Sequence, residues 1–166
     1  MSFREKVENA FVIRKQATRL ICECGTVTPE QQDALWFDRR DWRDVTWAEW
    51  QAHRDAFYAF TPETFIYYLP SILLLSLHNT NRGLLPADAL LQLLDRSPTI
   101  EYWDEFLVSR LLGLQTPEYE VLIDWAIALA ETGTIESGDS LGRAFDTIYL
   151  LRQQSNALLF KKMDRR

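Results

Sequence analysis

Thr-Pro-Glu occurs three times in this chain, at Thr28-Pro29-Glu30, Thr61-Pro62-Glu63 and Thr116-Pro117-Glu118. Each triplet combines the ingredients of a helix start. A threonine hydroxyl can accept from an orphan N–H of the first turn, a proline is preset for the first helical position, and a glutamate faces the positive end of the helix dipole. The segments that follow the three triplets are unlike one another, so they mark separate helices and not a repeat array. Two capping boxes add further starts, Ser2 with Glu5 and Thr46 with Glu49. Gly113 and Gly133 stand where C-terminal caps are wanted.

Between these marks, apolar periodicity predicts helices over 3–23, 29–39, 47–58, 62–78, 86–95, 99–112, 117–132 and 140–162. The last carries one stripe, Leu141, Phe145, Ile148, Leu151, Leu158 and Leu159. The helices after Thr61 and Thr116 are apolar on nearly every side, which is the pattern of helices wrapped by others. No segment alternates as a strand bounded by turns, and twelve glycines and prolines in 166 residues are too few for a loop-rich β fold. The expectation is an all-α, single-domain bundle over residues 1–166, with seven to eight helices around two apolar central ones. It is more than half helix, with no sheet of three or more strands. Asn79–Gly83 reads as a turn and Thr132–Asp139 as a loop. Pro70, inside the helix after Thr61, frees the carbonyl of Ile66 and predicts a kink.

The N-terminus lacks the apolar core of a signal peptide. The longest apolar stretch, Phe65–Leu77, is shorter than the roughly twenty residues of a membrane span and contains Pro70 and Ser71. Cys22 and Cys24 are too few and too close for a disulfide framework, and a metal site would need further ligands. A cytoplasmic protein with reduced thiols is expected.

The net charge of −6 is unevenly distributed. Residues 61–142 hold three basic and twelve acidic side chains, whereas residues 143–166 hold six basic and two acidic. An acidic middle repels nucleic acid and anionic lipid and attracts basic proteins. The cations Arg152, Lys161, Lys162, Arg165 and Arg166 suit the carbonyl end of the last helix.

The motifs of known chemistry are missing. There is no nucleophile elbow, phosphate-binding loop or dinucleotide fingerprint. The histidines are His53 and His78. Glu49 lies four residues before His53, which suits either a plain helix-face pair or a carboxylate–imidazole site. His78 closes an apolar helix, where a cation complements the dipole. Glu101, Asp104 and Glu105 cluster beside the apolar positions Ile100, Trp103, Leu107 and Leu111. They read as a solvated face or as a docking surface for a basic partner.

Residues 36–60 are the most distinctive stretch. Trp36, Trp42, Trp47 and Trp50 fall within fifteen positions, joined by Phe37, Phe57, Tyr58 and Phe60. Arg39, Arg40 and Arg43 are interleaved, but Asp38, Asp41 and Asp44 offset them, which removes the positive footprint that nucleic acid requires. Two readings remain: a satellite aromatic core, or interface anchors, with Trp42, Trp47 and Trp50 the best placed because they sit at and just after a turn.

The run Asp41-Trp42-Arg43-Asp44-Val45, followed by Phe60-Thr61-Pro62-Glu63-Thr64-Phe65-Ile66-Tyr67-Tyr68-Leu69-Pro70, resembles a family of small bacterial proteins classed only as a domain of unknown function. That family carries a Trp-containing segment before a Phe-x-Pro-Glu-x-Phe-x-Tyr-Tyr-Leu-Pro-like helix start. The similarity spans about residues 33–80. It implies a bacterial, cytoplasmic protein and supplies no activity, cofactor or catalytic residue to carry over.

The functional expectation is a non-enzymatic protein-interaction protein. One form is an antitoxin-like immunity protein that masks a basic toxin domain. Its contact residues are expected among Trp42, Trp47, Trp50, Glu101, Asp104 and Glu105, with no cofactor, metal, nucleic acid or membrane involved. The alternatives are a carboxylate- or metal-dependent enzyme built around Glu49 and His53, and a small-ligand or regulatory helical domain with a pocket beside Pro70.

Overall fold

The computed structural model describes residues 1–22, 25–78, 83–132 and 138–163, and side chains for all of these except 138 and 159–163. Several sequence expectations therefore lie outside the described residues. They are Cys24, most of the Asn79–Gly83 turn, the interior of the Thr132–Asp139 loop with Gly133, the side chains of Leu159, Lys161 and Lys162, and Arg165 and Arg166. The protein is all-α: 68% is helix. The described residues contain no strand and only an isolated antiparallel bridge between Ile21 and Phe60. None of the described helices is long and apolar enough to cross a membrane.

The order is α1 (Phe3–Ala10), α2 (Pro29–Leu35), α3 (Trp47–Ala52), α4 (Ala56–Ala59), α5 (Pro62–His78), α6 (Leu85–Leu94), a 3-10 turn (Ile100–Tyr102), α7 (Glu105–Leu111), α8 (Thr116–Thr132) and α9 (Gly138–Met163). The backbone divides into two compact units, Met1–Leu90 and Leu91–Arg166.

The start signals act locally as their chemistry requires. Ser2 with Glu5 and Thr46 with Glu49 form reciprocal capping boxes, and Thr28 forms a third with Gln31. The Glu5 carboxyl is held below the ordinary glutamate range because it accepts the Ser2 backbone N–H. Thr61 accepts from the Thr64 N–H at 3.3 Å. At the third triplet the helix begins one residue early. α8 includes Thr116, and the buried Glu118 reaches back to accept the Gln115 N–H at 2.6 Å.

Four expected helices are shorter or divided. The one over 29–39 stops at Leu35. α1 stops at Ala10 instead of continuing to residue 23. From there the chain extends to a tertiary partner: the Leu20 carbonyl accepts the Thr61 N–H at 2.8 Å, and the Arg19 carbonyl accepts the Thr61 hydroxyl at 3.0 Å. These bonds to the start of α5 outweigh whatever helical tendency residues 11–21 have. The helix expected over 47–58 breaks at His53–Asp55 into α3 and α4. The one expected over 99–112 breaks at Trp103, because Asp104 caps a fresh helix.

In the first unit α5 is the centre. Ten consecutive residues, Thr64–Leu73, are buried, so the helix is covered on all sides through nearly three turns. Pro70 lies inside it, and the helix continues to His78. The Ser71 hydroxyl, next to the proline, accepts the indole N–H of Trp50 at 2.9 Å.

In the second unit α8 packs on α9. α8 buries Tyr119, Val121, Leu122, Trp125, Ala126 and Leu129 and leaves Ile127 exposed. The buried line of α9 runs through Leu141, Ala144, Ile148, Leu151 and Ser155. Leu158 is exposed instead of continuing it. Leu158 lies seven positions after Leu151, about 20° from it around the axis, so it keeps the face of the line and is exposed all the same. Tyr119 donates to the Leu111 carbonyl at 2.6 Å, tying α8 to the end of α7, and burial pushes its phenol pKa up.

Candidate interaction surfaces

The aromatic stretch folds into the first unit around Phe37. Its ring lies 4.6 Å from Trp50, 5.0 Å from Tyr68, 5.1 Å from Trp36 and 5.3 Å from Phe60, mostly edge to face. Aromatic quadrupoles favour this arrangement. Polar atoms fix the cluster. The carbonyls of Phe37 and Arg40 each lie 2.7 Å from the Tyr68 hydroxyl, which also accepts from the Gln16 amide at 3.0 Å. A side chain from α5 thus pins the loop after α2 from below. Burial raises the Tyr68 phenol pKa, so it is a neutral donor at physiological pH.

This geometry decides the role of two of the three candidate tryptophans. Trp42 is 2% exposed and Trp50 0% exposed, so neither offers surface to a partner. Both are core residues, as the satellite-core reading holds. Trp47, at the first position of α3, is half-buried. An indole there contacts solvent on one side and could still reach a partner.

The arginines above this core are partly satisfied within the stretch. Arg43 pairs with Asp41 at 3.2 Å and its guanidinium lies 4.4 Å from the Trp42 ring. Arg40 departs from the one-for-one pairing with aspartates. Its guanidinium lies 3.7 Å from the Trp36 ring, and its Nε donates to the Trp36 carbonyl at 3.0 Å. Arg39 adopts φ 58°, a left-handed conformation that a branched-free but bulky residue seldom holds. Around it, Arg39, Arg40, Asp41, Asp44, Val45 and Glu49 line an open cleft of about 180 Å³.

The Glu49–His53 site is not formed as a pair. The Glu49 carboxylate turns back to the Thr46 N–H at 2.8 Å and the Thr46 hydroxyl at 2.9 Å. That first bond holds its pKa below the ordinary range. The contact of His53 is instead Asp33 on α2, with 3.3 Å between Nδ1 and the carboxylate oxygen. The imidazole also stacks on Trp36, with centroids 4.4 Å apart and planes 17° from parallel. Asp33 lies twenty positions from His53, so no local spacing could have revealed it. Among the described residues, no three His, Cys, Asp or Glu side chains converge as a metal site. Cys22 is a free, exposed thiol.

In the second unit the three candidate acids divide. Asp104 is used by the fold: one oxygen caps α7 by accepting the Leu107 N–H at 2.8 Å, and the other pairs with Arg96 at 2.9 Å. Glu101 and Glu105 are exposed. Between them in sequence stands Tyr102, 80% exposed at the end of the 3-10 turn. Trp103, by contrast, anchors the turn by donating from its indole to the Ser97 carbonyl at 2.8 Å. Sequence reasoning passed over Tyr102 because position 102 lay inside an expected helix. The signal available was that Asp104 is a good N-cap, which places the preceding residues outside α7.

Comparison with protein-family models, with curated proteins and with solved structures gave no match. The resemblance of residues 33–80 is accordingly carried by its sequence run alone.

Proposed function

We propose that this chain is a non-enzymatic protein-binding protein of the bacterial cytoplasm, that Glu101, Tyr102 and Glu105 belong to its docking face, and that its partner is basic. The observation that carries this reading is a tyrosine four-fifths exposed between two exposed carboxylates. Tyrosine offers a large contact area with little rotamer entropy to lose, and its ring face attracts cations. Carboxylates beside it speed the encounter with a positive surface. Asp104 and Trp103 support the turn from below, so the exposed groups stand on a held backbone. Trp47, half-buried, is a separate candidate contact of the first unit. An immunity protein that masks a basic toxin domain is the most specific form of this proposal.

The test is affinity capture from the cells that make the protein, with wild type, Tyr102→Ala and a control at an exposed tyrosine outside the turn, Tyr149→Ala, compared by mass spectrometry. A partner of high isoelectric point should be held by wild type and by Tyr149→Ala, and lost with Tyr102→Ala at unchanged circular dichroism. Equal capture of the same partner by wild type and Tyr102→Ala would remove the turn from the interface.

A further inference from the structure

We draw no further inference here: the strongest candidate, the Asp33–His53 pair stacked on Trp36 beside the break between α3 and α4, has no third ligating side chain joined to it among the described residues, and nothing in the structure shows what it would bind or act on.

Discussion

Replacing Trp50 by alanine tests the packing of the aromatic stretch most sharply. The indole is fully buried, packs against Phe37 at 4.6 Å and donates to Ser71 at 2.9 Å. Emptying a packed aromatic site costs about 3–5 kcal/mol. The indole hydrogen bond accounts for about 0.5–1.5 kcal/mol of that, the net worth of a neutral pair. Trp50→Phe retains part of the ring contact and loses the bond and some volume, so it should cost about 1–3 kcal/mol. Trp47→Ala removes an indole that is only half-buried, and should cost less than half as much as Trp50→Ala. Urea denaturation followed by far-ultraviolet circular dichroism gives all three differences. The reasoning is refuted if Trp50→Ala lies within about 0.5 kcal/mol of wild type, the range of an ordinary surface change, or if Trp47→Ala is the costlier substitution.

Other outcomes follow from the same contacts. Leu73→Ala in α5, fully buried, should lose about 2–5 kcal/mol in the same assay; a loss near zero would mean that α5 is not central. Tyr68→Phe should cost about 1–3 kcal/mol, because it removes the donor that the Phe37 and Arg40 carbonyls share. A neutral result would show that water replaces the hydroxyl. In the second unit, Arg143 donates from two nitrogens to the two oxygens of Asp95, which holds the Asp95 carboxyl below its ordinary value. A depressed carboxyl contributes stability above its unfolded pKa and loses it as pH falls through the folded one. Wild type should therefore exceed Arg143→Gln in stability by a constant margin above about pH 5, and that margin should shrink below about pH 4. A margin that grows in acid would contradict the pairing.

Much of the fold was legible because helix starts depend on chemistry within four residues. Ser2, Thr28 and Thr46 cap as their neighbours dictate, and α5 is buried because its residues are apolar around the whole circumference. The errors arise where distant residues compete with local preference. Residues 11–21 leave the expected helix, and Arg19 and Leu20 meet Thr61, about forty positions on, while His53 turns to Asp33 and Glu49 is occupied by Thr46. Composition placed the aromatics correctly as a group. It could not say which rings face inward, since that depends on where α3 ends and on the hydroxyl of Ser71. The exposed Tyr102 was hidden by an incorrect helix boundary, so the candidate surface was legible in its charges and not in its ring.

The most direct test of the proposed function is the association rate of the captured partner with wild type and with a Glu101→Lys, Glu105→Lys double variant, measured at several salt concentrations. Neither carboxylate has a structural contact like those of Asp104, so the fold should survive, which circular dichroism would verify. If these acids guide a basic partner, the double variant should associate at least several-fold more slowly at low salt, and its rate should vary less with ionic strength. An unchanged rate with an unchanged salt slope would contradict the claim that this face meets the partner.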